Sequence, residues 1–429
     1  MHKHEMLSWA KDLFPIARSL TGDGVRETLA YFKNINPELQ TTAISTGSQV
    51  FDWEIPQEWT IRDAWIEHIE TGQRFAEFSK HNLHILGYAT PIDHEMDLSE
   101  LAPHIYTQPD QPDRIPYVTS YYRERWGFSM SQNEKDALPP GRYRCYIDSQ
   151  LFDGELLVTD AILSGKSDQE IAFSSYICHP SMANNELSGP VLLNALLQYI
   201  RTHYPDRQYS YRFIMVPETI GSLAYLSTRL EAMQSNTIAG YVLSCVGDER
   251  AFSRVESRNA NTLADVALSA ALRGRPNVKT YSFLERGSDE RQYCAPGIDL
   301  PFCGFCRSKY GEFPEYHTDA DNFDLVTEEG LAGAFDVMTS IIDAFEIGLY
   351  PLVATKGEPQ LGKRGLYPDI SIKGSGDGVR TRMNFLCYSD GTNSLFDISQ
   401  KTGMSLREAL HEAKILSENE LISLRTHPK

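Results

Sequence analysis

Apolar residues recur along this chain in two periods, and the switches between them lay out the architecture. Between 5 and 35, Leu7, Ala10, Leu13 and Phe14, then Val25, Leu29 and Phe32, keep helical spacing on either side of Thr21-Gly22-Asp23-Gly24. That predicts two helices around a turn. From 45 to 150 the period shortens. Alternating runs such as Asp63-Ala64-Trp65-Ile66-Glu67-His68-Ile69, separated by turn signals such as Thr71-Gly72, predict a mostly β unit. Continuous apolar runs follow at 171–178, 211–217 and 240–246, with helical patterns at 188–203, 220–233 and 261–273. Strand then helix, repeated, means parallel strands with crossover helices. In such sheets, sites form at the carboxyl ends of the strands. Chemistry is therefore expected just after 178, 217 and 246.

The last part changes character again. Residues 348–376 are rich in Gly, Pro and Lys and predict a linker or small ribbon. Helical patterns near 378–388, 393–401 and 404–416 are separated by Ser389-Asp390-Gly391 and Thr402-Gly403, which predicts a winged helix-turn-helix. The expected fold class is α/β, a doubly wound, mostly parallel sheet. Its body is drawn from 1–44 and 151–347, with an inserted small β domain at 45–150 and a linker and winged-helix domain at 348–429.

Composition narrows the function. A chain of 429 residues is long enough for two or three domains. A formal net charge of −18 and a pI near 5.1 work against phosphate backbones over most of the surface, so general nucleic-acid binding is not expected. The start, MHKHEMLSWAKDLF, has no long apolar core or small-residue cleavage site, so no signal peptide is read. No window reaches the roughly 18 apolar residues of a membrane helix. Seven scattered cysteines fit reduced thiols, and the expected location is cytoplasmic. Cys303 and Cys306 form a CxxC pair without a second pair, and their Pro and Phe neighbours mark a buried strand.

The predicted strand ends hold the reactive side chains. The first runs out in Cys178-His179-Pro180, followed by Asn184-Asn185-Glu186-Leu187-Ser188-Gly189; the second in Pro217-Glu218-Thr219-Ile220-Gly221-Ser222. Later come Gly287-Ser288-Asp289-Glu290-Arg291 and Glu315-Tyr316-His317-Thr318-Asp319-Ala320-Asp321. Taken singly, Glu186 and Glu218 read as carboxylates at helix N-termini, and Asp289 and Asp321 as N-caps. Together, two histidines and several carboxylates at strand-to-helix turns match what a zinc ion needs.

The order H-P-x(3)-N-N-x-L-S-G, then strand-Glu-x-x-G-S, then S-D, then Y-H-T-x-x-D resembles the zinc aminopeptidases with co-catalytic metal ions and the related glutaminyl cyclases. More closely, the tracts VFDWEIPQEWTIRDAWI, IPYVTSYYRERWGF and LPFCGFCRSKYGEFPEYHTDADN are similar to an uncharacterised bacterial family of aminopeptidase-like proteins. That family carries a β insert and a C-terminal winged helix. The resemblance covers nearly the whole chain and implies a zinc-aminopeptidase-like fold. It also exposes departures. Asn185 stands where active relatives carry an Asp bridging two zinc ions, and an amide bridges cations poorly. Glu218 is followed by Thr219, where relatives have two consecutive Glu. The third strand offers Leu243-Ser244-Cys245 in place of a ligand Asp, and Asp248 falls late. The pattern supports about one zinc ion per chain.

Three readings follow. One is a mono-zinc aminopeptidase-like hydrolase acting on a peptide or other amide substrate. His179, His317 and Glu186 would hold the metal and Glu218 would act as base, with ligation as the alternative. Asp289 would orient a ligand or bind a substrate α-amino group, and Tyr316 would stabilise an oxyanion or simply fill the core. The second is a glutaminyl-cyclase-like transferase, and the third a non-catalytic regulatory or binding protein. A homo-oligomer or a protein partner, met through the insert or the C-terminal domain, stays open. The helix predicted over 404–416 sets Arg407 and Lys414 against Glu408 and Glu412, a balance unsuited to displacing counterions from phosphates. We expect a gel-shift assay at low salt to show no sub-micromolar, salt-sensitive binding to duplex DNA; such binding would favour the regulatory reading.

Overall fold

The computed structural model describes residues 2–367 and 377–429; the far end of the expected linker, 368–376, lies outside them. An eight-stranded sheet runs in the order 40–45, 155–163, 210–216, 170–176, 237–243, 302–306, 252–255, 278–281. Its four central strands, Ser210–Val216, Glu170–Tyr176, Thr237–Leu243 and Phe302–Cys306, are parallel. Antiparallel strands flank them. The three continuous apolar runs are central strands, and each is buried along its whole length or nearly so. Cys303 and Cys306 lie buried in the fourth, as expected.

Side-chain alternation divides the core in two. Phe173, Phe213 and Tyr241 stack as a row on one face, with ring centroids 5.6 Å apart in each pair. That face meets helices Ser188–His203, Leu263–Leu272 and Glu328–Glu346. Ala172, Ile214 and Val242 point the other way, toward helix Ile220–Asn236. The fold is therefore α/β, with a parallel-rich sheet between helical layers.

Residues 58–68, 74–75, 92–97 and 142–152 build a separate four-stranded antiparallel sheet around its own core. At the C-terminus, helices Asp377–Cys387, Leu395–Thr402 and Leu406–Glu418 stand beside a ribbon in which Tyr350–Val353 pairs with Ile422–Arg425. This is a winged helix. The strand Tyr350–Val353 comes from the segment expected as a linker or small ribbon, and its partner is the C-terminal strand Ile422–Arg425. Leu406, Ala409, Ala413 and Leu416 of the last helix are buried in the same core as the main sheet. That helix packs on Glu328–Glu346 and Leu263–Leu272, and Arg407 forms an ion pair with Asp336.

Gly189 sets the closest approach between helix Ser188–His203 and the sheet. A Cβ there would lie 2.2 Å from Ser175 Oγ and 2.3 Å from the Leu243 carbonyl oxygen, so both the helix and the turn before it would have to move. We expect Gly189→Ala to destabilise the protein by about 3 kcal/mol, read as a fall in the thermal midpoint by circular dichroism. Gly378→Ala, at a helical position with open space around it, should leave the midpoint within a degree or so.

Candidate active site

The expected residues converge at the carboxyl edge of the central strands. The chain reaches this edge in strained conformations. Ser181, Thr219, Cys245 and His317 all have positive φ, at 46°, 67°, 53° and 57°. Left-handed backbone at non-glycine residues costs of order 1 kcal/mol or more each and clusters where geometry is functional. A single π turn, Ala183–Leu187, then carries Asn184, Asn185 and Glu186, all buried. Asp321 holds that turn by accepting the backbone N–H groups of Asn184 (2.5 Å) and Asn185 (2.8 Å). Desolvation raises its pKa to about 7 against these two hydrogen bonds. Asp321 is thus a long-range brace, not the local cap its position suggested.

His179 is 5% exposed. Its Nδ1 lies 3.0 Å from Glu186 Oε2, and its Nε2 lies 3.9 Å from Glu218 Oε2. Burial would lower its pKa, but the hydrogen bond and charge of Glu186 outweigh this, and the pKa is raised. Behind Glu186 sits Arg18, with Nε 3.3 Å from Glu186 Oε1 and no side-chain exposure. The same guanidinium donates to the His179 carbonyl (3.2 Å) and the Leu13 carbonyl (2.7 Å). Nothing in the sequence pattern pointed to Arg18.

His317 faces His179, with ring centroids 5.6 Å apart. Desolvation, helped by the charge of His179, lowers its pKa to about 3, so it is neutral at physiological pH. Its Nε2 is buried without a hydrogen-bond partner, and so is Asn185 Oδ1. Two imidazoles on one zinc ion, each about 2.1 Å from the metal, keep their centroids roughly 5–6 Å apart. Their spacing and the orphaned His317 nitrogen fit a metal.

Cys178, His179 and Glu186 also lie close enough for each to offer an atom to one ion. There, however, the Glu186 carboxylate already meets a buried guanidinium, which opposes a second cation. The Cys178 thiol is pushed well above its usual pKa, first by burial and then by nearby carboxylates, and accepts the Glu218 backbone N–H at 3.2 Å. The Nε2 side of His179 is the better metal position.

Asp289 stands behind Glu218. Its Oδ1 accepts the Thr219 backbone N–H (2.8 Å) and the Ser222 hydroxyl (3.0 Å), and its Oδ2 has no partner. Desolvation and then the charge of Glu218 raise Asp289 to about 7, and desolvation raises Glu218 as well. Tyr316 stacks on His317 at 3.8 Å between centroids and 14° between planes. It does not line the adjoining cavity.

That cavity, about 390 Å³, opens beside His179, Glu218 and His317. Its other walls include Trp53, Tyr117, Tyr121 and Tyr122, and Arg291. Tyr117 lies 5.2 Å from both histidine rings. Its hydroxyl is 2.6 Å from that of Tyr121, and its N–H donates to the His317 carbonyl at 2.9 Å. Tyr117 and Tyr121 lie in IPYVTSYYRERWGF, the tract noted for its resemblance; Tyr121, Trp53 and Tyr122 belong to the aromatic-rich insert, whose rings the sequence leaves open as pocket lining or as the insert's own core. Arg291 was not singled out; a cation among the acids of the S-D motif is the signal that could have found it.

Residues 7–348 match the family model described as a domain of unknown function (DUF4910), and residues 349–424 match a winged helix-turn-helix model. A protein of Clostridium acetobutylicum, provisionally named for polysaccharide biosynthesis and for an aminopeptidase-like domain, is 39% identical over 98% of this chain and 96% of its own length. A crystal structure of a provisionally named peptidase from the same organism superposes with a TM-score of 0.89 at 37% identity, covering 98% of this chain and 96% of that one. A zinc aminopeptidase from Bacillus subtilis shares the fold at a TM-score of 0.57 and 11% identity, covering 80% of this chain and 93% of that one. This chain belongs to the DUF4910 family, an aminopeptidase-like α/β fold carrying a C-terminal winged helix.

Proposed function

We propose that the protein is a mono-zinc, aminopeptidase-like hydrolase of an amide bond. The observation that carries this reading is the pair of facing imidazoles, His179 and His317, beside the half-buried carboxylate of Glu218. His179 Nε2 and His317 Nε2 would hold the ion, with the unpartnered Asn185 Oδ1 as a neutral third donor. When bound, zinc supplies Lewis-acid polarisation of a water molecule and of the substrate carbonyl. Glu186 accepts the proton on His179 Nδ1 and so keeps Nε2 turned to the cavity, a common arrangement behind metal-binding histidines. We assign Glu186 to that role in preference to direct ligation.

Glu218 takes the proton of the attacking water and returns it to the leaving nitrogen. Desolvation raises this carboxylate above its usual range, which makes it a stronger proton acceptor for that exchange. Asp289 holds the strained Thr219 turn that presents Glu218, and Tyr316 braces the His317 ring. Both roles stand behind the reacting atoms, not among them. The body, 1–44 with 151–347, would supply the chemistry and the insert, 45–150, the outer wall of the cavity. All seven cysteines are free thiols, which suits a reducing cytoplasm. No helix among the described residues is long and apolar enough to cross a membrane.

Zinc measured by plasma emission on chelator-free protein should reach about one equivalent per chain. His317→Ala should lose most of it and His68→Ala should keep it, because His68 bonds Thr71 and Pro140 within the insert. No zinc above background, and none after reloading, would remove the basis of the hydrolase reading. Glu218→Gln should retain the metal and lower turnover of aminoacyl amides by at least roughly 100-fold. Loss of zinc in that variant would instead make Glu218 a ligand.

A further inference from the structure

Arg291 is a guanidinium with open donors in a cavity wall. Its Nη2 donates to Thr219 Oγ1. Its Nε is buried without an acceptor, and among the described residues no carboxylate lies within 4.0 Å of it. Of the buried arginines elsewhere in the chain, Arg18 meets Glu186 and Arg212 meets Glu170 at 2.7 Å, while Arg307 donates to the Ala251 and Gly330 carbonyls. The Thr219 contact fixes where Arg291 points, because Thr219 is itself held in a left-handed turn by Asp289. A positioned guanidinium with unanswered N–H groups, set in the wall that also carries His179, Glu218 and His317, is a receptor for a planar anion.

The surroundings select the anion. No lysine lines this cavity, and Glu218 is in the same wall. One guanidinium beside an acid suits a singly charged carboxylate better than a phosphate, whose sites gather several cations or backbone N–H groups. Four aromatic side chains, Trp53, Tyr117, Tyr121 and Tyr122, share the wall with apolar Leu20 and Ile220. Trp53 and Tyr122 meet edge to face with centroids 5.6 Å apart, and Tyr122 is 61% exposed at the rim. Tyr121, half-buried, lines the same wall. Such a rim offers π-faces to an apolar or ring-shaped group.

The geometry points to a substrate that carries a carboxylate near its amide, with Arg291 binding the carboxylate and Trp53, Tyr121 and Tyr122 of the insert packing its body. This rests on the reading of the cavity as the substrate site but not on the metal. The test therefore uses full-length protein in chelator-treated and zinc-loaded forms. Isothermal titration would compare hippurate, an aryl amide bearing a carboxylate, with its neutral amide, hippuramide. We expect hippurate to bind at least ten-fold more tightly in both forms. Arg291→Met should abolish that preference while leaving hippuramide binding and the circular dichroism spectrum unchanged. Arg291→Lys should restore part of it, and Trp53→Ala should weaken both probes alike. Equal binding of the two probes, no binding of either, or a preference that survives in Arg291→Met would overturn the inference. A preference present only with zinc and indifferent to Arg291 would also overturn it, while leaving the metal reading intact.

Discussion

Arg18 carries a positive charge into the interior, and the site is arranged around it. A guanidinium removed from water is tolerable only with a close counter-charge and satisfied N–H groups. Glu186 provides the first, and the carbonyls of Leu13 and His179 provide much of the second. The consequences run outward. Glu186, held beside the guanidinium, takes the Nδ1 side of His179. His179 then has one free nitrogen, on the cavity side, where Glu218 and His317 wait. Removing either partner of the Arg18–Glu186 pair would strand the other, a loss of about 3–5 kcal/mol in comparable buried pairs.

The same edge of the sheet is held by strain. Left-handed residues at 181, 219, 245 and 317 are stable only because the elements around them are over-determined. Asp321 and Asp289 do much of this by taking backbone N–H groups at two of the turns. Both acids are raised toward neutrality by burial, so the turns are braced by groups close to their own titration points. A site of this kind is rigid at its base and aromatic at its rim.

Much of the architecture could be read in advance because buried parallel strands announce themselves. Runs such as 171–178 have no polar face to confuse with a surface helix, and the helices after them begin at marked turns. His179 and Glu218 stood out for the same reason, because polar residues at the ends of apolar runs are conspicuous; His317 stood out through the Y-H-T-x-x-D order. Arg18 was invisible because its partner lies 168 positions away and the segment around it has no period. Tyr117 was lost in a stretch of irregular backbone, where spacing carries no information about direction. Asp321 was misleading: a short-range signal, an acid before a helix, hid a contact made with residues 136 and 137 positions upstream. Asn185 and Thr219 were noticed as departures, but only the structure showed that an unpartnered oxygen and a strained turn occupy those places.

The N–H of Tyr117 donates to the His317 carbonyl, Pro116 bridges Thr318, and the Ile115 N–H is taken by Asp319. The wall that would select a substrate is thereby stitched, residue by residue, to the loop that carries a proposed metal donor. Specificity and reactivity cannot drift independently in such a protein. A lineage that remodels its insert to admit a new molecule must keep this three-residue seam or lose the placement of His317. A grafted insert from a relative would accordingly need to import residues 115–117 and 317–319 as one piece.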